Sequence, residues 1–264
     1  MTLEQKKEIV GQKIAVWFSC GAASAVAARE TIRLYGARNS VRVLNNPVME
    51  EGWDNRRFLA DVEEWIGRKI ETVTHPKWPM ASAAAVWEKK RYMAGVRGAP
   101  CTALLKKEAR QKWEAENPCD WHVLGFHAGE SRRHRNFTIT ERANVLPVLI
   151  DAGFTKERCA QILVDAGIRL PEAYALGLPN ANCIGCVKAT SPTYWNLIRQ
   201  VAPDVFHARC EQSRRIGARL VEVRKERIFL DELSPDVMGG PLKAIQMPEC
   251  GIFCEERETA EITQ

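Results

Sequence analysis

The sequence predicts an α/β fold: a doubly wound, mostly parallel sheet with helices on both faces, followed by a helical C-terminal portion. Two observations carry this prediction. Over residues 1–150, short β-prone apolar runs alternate with helical patterns, as is typical of parallel strands joined by helices. Over residues 151–264, helical patterns are separated by loops rich in proline and glycine, and we interpret this portion as packed on the same core.

Each predicted element has its own pattern. The first strand is an apolar run that ends at small residues, and an alanine-rich helix follows it. The second strand ends at Asn45, before another asparagine and a proline. The predicted strands are 13–19, 41–44, 69–74 and 122–125, and the predicted helices are 22–35, 54–66, 102–116, 156–166, 193–201 and 205–216.

Composition limits the classes of protein to consider. The 264 residues suit one large α/β domain or a domain with a small appendage, and 45% hydrophobic with 27% charged residues is ordinary for a globular enzyme. No apolar run approaches the roughly 18 residues of a membrane span, and the N-terminus is polar, so we expect a cytoplasmic protein with no membrane partner. The net charge of +5 fits an anionic nucleotide and also permits nucleic acid.

Nine cysteines point to metal binding or catalysis for some of them. The cytosol keeps thiols reduced, and an odd count leaves one cysteine over in any disulfide framework. Cys183 and Cys186 form the most specific pattern, because two thiolates two residues apart can chelate one metal ion or cluster. Iron–sulfur and zinc sites both use this spacing.

The turn after the first strand is a candidate phosphate site. Residues 18–24 read F-S-C-G-A-A-S, and ligands sit at the carboxyl ends of strands in an open parallel sheet. Small residues let backbone N–H groups approach a phosphate at the helix N-terminus, and Ser19 and Ser24 add hydroxyl groups. The alternative is a tight turn whose small residues serve packing alone. The turn lacks the lysine of a Walker-type loop.

The order of five motifs resembles the phosphoadenosine-phosphosulfate reductase family, within the PP-loop or adenine-nucleotide α-hydrolase superfamily. Residues 19–24 resemble its S-x-G-x-x-S/A loop, and residues 125–135 resemble G-x-R-x-x-E-S-x-x-R with His127 at the usual arginine. Cys101, 82 residues before Cys183, resembles the first cysteine of a tandem pair, and Thr102 replaces the second. Residues 249–252 match E-C-G-I, and Phe253 replaces the histidine that follows it.

The resemblance covers residues 14–254 and implies roles for individual residues. Residues 1–150 would form the adenine-nucleotide-binding domain, and ATP cleavage is less expected than binding because Ala22 and Ala23 replace a Lys-Asp pair. The implied nucleotide-binding residues are Ser19, Cys20, Gly21, Ser24, Asn45, Gly125, Glu130, Arg132 and Arg133. The implied metal ligands are Cys101, Cys183 and Cys186, with Cys254 or Cys250 as the fourth, for a 4Fe-4S cluster or, alternatively, zinc.

Three functions are compatible with these residues. A sulfonucleotide reductase would use Cys250 to attack the sulfur of adenylyl or phosphoadenylyl sulfate, with Lys106 beside the substrate and a thiol reductant such as thioredoxin releasing sulfite. A nucleotide-dependent sulfur transferase would act on nucleic acid. A non-catalytic accessory protein of a mobile element would keep the fold alone. A homodimer is left open.

Overall fold

A five-stranded, all-parallel sheet forms the centre of the protein and confirms the predicted α/β class. The computed structural model describes residues 9–96 and 98–243. The strands lie in the order β3-β2-β1-β4-β5, so the chain adds strands first on one side of β1 and then on the other. They are β1 (Lys13–Phe18), β2 (Ser40–Asn45), β3 (Ile70–Thr72), β4 (Trp121–Leu124) and β5 (Val145–Leu146).

Helices connect and cover the strands. They are α1 (Ala22–Tyr35), α2 (Asn55–Ile66), α3 (Ala83–Lys90), α4 (Ala109–Glu116), α5 (Ser131–Thr140), α6 (Val148–Asp151), α7 (Lys156–Asp165), α8 (Glu172–Ala175), α9 (Pro192–Val201) and α10 (Pro203–Ile216). A π-helix (Thr102–Glu108) leads into α4, and a 3-10 turn (Ala128–Glu130) leads into α5. An antiparallel hairpin, β6 (Val221–Val223) with β7 (Glu226–Ile228), follows α10. No helix in the described ranges is long and apolar enough to cross a membrane.

Successive side chains of the central strand β1 are buried on opposite faces of the sheet, because side chains alternate along a strand. Val16 and Phe18 belong to the main core, which also contains Trp195 and Ile198 from the C-terminal half. Trp17 belongs to a smaller cluster, with Ala15, Leu44 and Val73. Both faces of the sheet are therefore covered.

The secondary structure departs from the sequence prediction in several places, and helix α3 and strand β5 were not predicted at all. The predicted helix 102–116 forms, but its first seven residues are π-helical. Residues 128–135, for which no helix was predicted, form a 3-10 turn and the start of α5. The β6–β7 hairpin was missed, because its three-residue strands are too short for a period-two pattern to be recognised.

Candidate nucleotide cavity and cysteine group

A cavity of about 470 Å³ opens where the carboxyl ends of β1 and β4 meet. This is the point at which the strand order reverses, where open α/β sheets bind their ligands. Seven residues predicted from the sequence line it: Ser19, Gly21, Ser24, Lys106, Gly125, Glu130 and Arg133. The sequence motifs on β1, the π-helix and β4 thus converge on one space.

The loop between β1 and α1 is organised around the hydroxyl of Ser24. This oxygen accepts hydrogen bonds from the backbone N–H groups of Ser19 at 3.1 Å and Gly21 at 3.3 Å, and it donates to the Gly21 carbonyl at 2.8 Å. Cys20 between them has the left-handed φ of 54°. Backbone donors that converge on one oxygen at a helix N-terminus also suit a phosphate or sulfate oxygen.

Gly125 allows the end of β4 to approach this loop closely. A Cβ atom at this position would lie 2.8 Å from the backbone nitrogen of Ser24 and 2.9 Å from its Cα. Only glycine fits such an approach between two backbones. The glycine that begins the 125–135 motif therefore has a physical role in shaping the cavity.

Two of the predicted cationic residues are held by carboxylates at the cavity wall. Lys106 forms a salt bridge with Glu51 at 2.7 Å and donates a hydrogen bond to the Asn46 carbonyl. Arg133 pairs with Glu130 at 2.5 Å. Glu130 thus orients an arginine, and it contributes the negative charge that a ligand anion would have to displace or tolerate.

Two further cations line the cavity and were not predicted. Lys156, at the start of α7, donates to the Pro179 carbonyl at 2.5 Å, and burial lowers its pKa. Arg110 follows Lys106 by four residues, a helical spacing that could have indicated it from the sequence. Lys156 has no such signal, because nothing in the sequence distinguishes it from a surface lysine.

Three predicted nucleotide-binding residues do not line the cavity. Asn45 is buried, and its side-chain amide donates to the Phe18 carbonyl at 2.9 Å and to the Cys20 sulfur at 3.6 Å. Cys20 is buried with it, so the pair supports the loop from behind. Arg132 is exposed on α5, whereas its neighbour Arg133 reaches the cavity.

Cys101, Cys183 and Cys186 lie near enough to one another for their charges to interact, and we refer to them as the cysteine group. Each is partly buried with a free thiol. Burial raises the pKa of Cys101, and the neighbouring Cys186 raises it further. Burial likewise raises the pKa of Cys183 strongly, with added effects of Glu51, Cys186 and Cys101.

Gly185 shapes the turn between Cys183 and Cys186. Its φ of 69° is left-handed, and a Cβ atom there would lie 2.7 Å from the Val205 side chain. The hydroxyl of Tyr194 accepts a hydrogen bond from the Cys186 backbone nitrogen at 2.8 Å. These contacts fix a tight turn that presents both thiols from the same segment.

Two buried donors beside the cysteine group lack acceptors, which fits a site for a sulfur-ligated metal. The indole nitrogen of Trp87 is buried without a well-formed hydrogen bond, and it lies close enough to the Cys101 thiol to oppose the rise in pKa that burial causes. Arg209 is 6% exposed and its Nε has no partner; burial lowers its pKa, and the nearby Glu50, Cys183 and Cys101 oppose this shift. Thiolates or cluster sulfurs would give these donors acceptors and a compensating negative charge.

The cysteine group and the cavity share a wall. Asn182 lines the cavity and directly precedes Cys183. The backbone of Cys183 forms an isolated antiparallel β-bridge with the backbone of Glu51. Glu51 in turn holds Lys106. Among the residues that the structure describes, no three His, Cys, Asp or Glu side chains are grouped closely enough to hold a metal ion as they stand.

The remaining predicted residues and cysteines either lie outside the described residues or are buried thiols. Cys250 and Cys254, the implied nucleophile and fourth ligand, lie outside the described residues. Cys159 and Cys210 are buried thiols, and burial raises their pKa values to about 12 and about 11, which makes them unreactive near neutral pH.

The chain matches no protein-family model and no curated protein.

Proposed function

We propose that this chain is a sulfonucleotide reductase-like protein that binds an adenine nucleotide in the cavity and a cysteine-ligated metal centre, iron–sulfur or alternatively zinc, beside it. The observation that carries the proposal is the shared wall. Lys106 lines the cavity, and the carboxylate that holds it, Glu51, lies against the cysteine group. A nucleotide site and a thiol-rich site so close together favour one joint function.

In this proposal the cavity residues bind and orient the nucleotide. The backbone N–H groups around Ser24 and the cations Arg133 and Lys156 would hold the phosphate or sulfate oxygens. The aromatic walls Trp17 and Phe126 offer apolar surface to the base or ribose. Lys106 would neutralise charge on the anion nearest the cysteine group.

Cys101, Cys183 and Cys186 would hold the metal centre, together with Cys250 or Cys254. Such a centre, when bound, supplies redox-active iron, or a structural crosslink if it is zinc. Trp87 and Arg209 would donate hydrogen bonds to the ligand sulfurs, since both have unpartnered buried N–H groups on this side. The surrounding residues would exclude water from the thiolates and compensate their negative charge.

Metal content tests the first half of the proposal. Anaerobically purified protein is expected to contain iron with acid-labile sulfide and a broad visible absorption, or to contain about one zinc per chain. Cys183→Ser should remove most of this metal, whereas Cys159→Ser, a buried thiol within α7, should retain it. Equal metal content in both variants, or none in the wild-type protein, would contradict the proposed centre.

Sulfite release tests the reductase half. The Cys250 thiolate would attack the sulfate sulfur, breaking the S–O bond to the nucleotide and forming a Cys–S–SO₃⁻ intermediate, and a reduced dithiol such as thioredoxin would release sulfite while becoming a disulfide. Cys250→Ser should abolish sulfite production from adenylyl and phosphoadenylyl sulfate. Unchanged production would exclude Cys250 as the nucleophile.

The other two candidate functions, the sulfur transferase and the non-catalytic accessory protein, predict different products. Thiolated nucleosides detected by mass spectrometry in expressing cells, without sulfite release from either sulfonucleotide, would favour the sulfur transferase. Nucleotide and metal binding without either product would favour the non-catalytic accessory protein.

A further inference from the structure

A second cavity, of about 560 Å³, lies beside the β6–β7 hairpin. Three of the residues that line it are cations, Lys188, Arg219 and Arg227, and no aspartate or glutamate is among its described lining residues. The guanidinium carbon of Arg219 lies 5.3 Å from the centre of the Phe229 ring. Within the described part of the chain, the side chains of Lys188 and Arg219 form no hydrogen bond and no salt bridge. This cavity therefore has cations without counter-anions.

The cysteine group lies between this second cavity and the nucleotide cavity. Residue 182 lines the nucleotide cavity and residues 187 and 188 line the second one, so the cysteine turn 183–186 runs from one to the other. Gly98, three residues before Cys101, also lines the second cavity. The charge of Lys188 opposes the rise in the pKa of Cys101 that burial causes. A ligand here would approach the cysteine group past different residues from those that face the nucleotide.

The tip of the β6–β7 hairpin carries two further cations in an unfavourable backbone conformation. Arg224 and Lys225 form the two-residue turn and have left-handed φ angles of 50° and 69°. Asn-Gly is the usual pair in such a turn, because a left-handed conformation is unfavourable for most residues that have a Cβ atom. Both side chains are exposed, and neither forms a hydrogen bond or ion pair with another described residue. Local stability therefore does not explain an Arg-Lys tip.

Carboxylates balance these positive charges only in part. Arg227 pairs with Glu222 at 3.2 Å and donates a hydrogen bond to the Leu220 carbonyl at 3.1 Å, whereas Glu226 forms no ion pair among the described residues. The five cations are all exposed, and we refer to them as the hairpin surface: Lys188, Arg219, Arg224, Lys225 and Arg227. Five cations beside two carboxylates would attract an anionic partner.

The composition of the hairpin surface favours a nucleic acid over an acidic protein. Interfaces between proteins have an apolar core with few charged residues, whereas interfaces with nucleic acid are more polar and far more positive. The Phe229 ring is flanked by the guanidinium groups of Arg214 and Arg219, at 4.0 and 5.3 Å, so it is not free to stack on the base of a single strand. A two-stranded β-ribbon fits the major groove of duplex DNA.

We propose that the hairpin surface binds the phosphate backbone of a DNA duplex, with the tip in the major groove and Lys188 and Arg219 on phosphates beside the cysteine group. This inference goes beyond the proposed function, because it requires neither a bound nucleotide nor a metal. It would place a nucleic acid beside the cysteine group, as the candidate sulfur transferase requires.

Fluorescence anisotropy with a labelled DNA duplex, over a series of salt concentrations, tests the surface. Arg224→Asn combined with Lys225→Gly removes two cations and gives the turn its preferred residues, so this variant should fold at least as stably as the wild-type protein. Arg219→Gln removes a cation of the second cavity. The control combines Arg38→Gln with Lys69→Gln, because these are exposed cations just before the amino ends of β2 and β3.

The turn variant should bind the duplex at least about fivefold more weakly at 0.1 M salt. The slope of the logarithm of the binding constant against the logarithm of the salt concentration should become shallower by about 1.8, since each phosphate contact contributes roughly 0.9. Arg219→Gln should make it shallower by about 0.9. The control, which removes the same net charge as the turn variant, should leave the slope nearly unchanged.

Four results would overturn the proposal. They are no duplex binding by the wild-type protein at low salt, equal weakening in the control and the turn variant, tighter binding of a single strand than of the duplex, and displacement of the duplex by polyglutamate as effective as by unlabelled duplex. The last result would assign the surface to an acidic protein.

Failure of the nucleotide proposal would be recognised separately. AMP affinity and metal content should be unchanged in the turn variant, because its two residues lie in neither the nucleotide cavity nor the cysteine group. If the wild-type protein binds the duplex but not AMP, the nucleotide proposal is wrong and the hairpin surface stands. If it binds AMP but not the duplex, only the hairpin surface is wrong.

Discussion

At the scale of single residues, Gly125 is the most restrictive position of the cavity. Gly125→Ala would place a Cβ atom 2.8 Å from the Ser24 backbone nitrogen, so β4 and α1 would have to separate. Overpacking of this kind costs about 1–3 kcal/mol of the free energy of unfolding, and the displaced loop should also weaken AMP binding.

Chemical denaturation and AMP titration measure both effects of Gly125→Ala. Gly52→Ala is the control, because a Cβ atom at Gly52 would meet its nearest neighbour at an ordinary 3.7 Å. The same stability and AMP affinity in both variants would show that the close approach of β4 and α1 is not required.

His122 gives the protein a predictable sensitivity to acid. It is 4% exposed and accepts a hydrogen bond from the Trp17 indole at 3.2 Å. Burial lowers the pKa of His122 to about 4; Arg142 and Arg110 also lower it, and Glu114 partly opposes them. The unfolded chain, with a histidine pKa near 6.5, therefore binds the proton first as the pH falls.

The stability that neutral His122 provides should be present above about pH 6.5 and lost as the pH falls toward 4, by up to about 3 kcal/mol. Urea unfolding at a series of pH values measures this loss. In His122→Asn, whose amide oxygen can still accept from Trp17, the slope of stability against pH between 4 and 6.5 should be smaller by about one proton. An unchanged slope would mean that other groups cause the acid sensitivity.

The sequence identified the residues of the cavity by motif and missed those that tertiary packing brings there. Ser24 and Gly125 belong to local patterns whose geometry follows from the strand–turn–helix connection. Lys156 and Tyr174 line the same cavity, but they come from helices of the C-terminal half whose docking no local pattern specifies. Asn45 and Cys20 were predicted to face the ligand and instead support the loop.

At the scale of elements, the turn between Cys183 and Cys186 depends on Gly185. Gly185→Ala combines a left-handed φ of 69° with a Cβ atom 2.7 Å from Val205, so the turn must open. We expect the variant to lose at least half of its bound metal. Metal analysis after anaerobic purification measures this loss.

Gly153→Ala is the matched control for this turn. Gly153 has the same φ of 69°, but a Cβ atom there would meet nothing within 4 Å. It should lose about 1 kcal/mol of stability from the left-handed conformation and keep its metal. Equal metal loss in the two variants would attribute the effect to general destabilisation rather than to the cysteine turn.

Strands and helices could be predicted where their sequence patterns extend over many residues. The strands β1 and β2 and the helices α1 and α2 were found near their observed bounds, because apolar runs and helical periodicity extend over six to fourteen residues in them. The π-helix was not distinguished from an α-helix, since both place apolar residues at similar intervals. Two-residue β5 and the β6–β7 hairpin form through pairing with neighbours, which a local pattern does not contain.

At the scale of the whole molecule, the cavity and the cysteine group are linked through two short connections. Residues 180–182 line the cavity and lead directly into Cys183, and Lys106 lines the cavity while its partner Glu51 bridges to Cys183. A metal that fixes Cys183 would therefore also fix two parts of the cavity wall. Ligand and metal should each favour the same arrangement of this wall.

We therefore expect metal-loaded protein to bind AMP about fivefold more tightly than metal-free protein, a coupling of roughly 1 kcal/mol. Because coupling between two binding sites is reciprocal, saturating AMP should slow or reduce removal of the metal by a chelator to a corresponding extent. Calorimetry on the loaded and metal-free forms, with chelator competition followed by absorption, measures both directions. Lys106→Met, which breaks the link to Glu51, should reduce the coupling more than it reduces metal content. Equal AMP affinity in the two forms would mean that binding at the two sites is not coupled, although the sites share a wall.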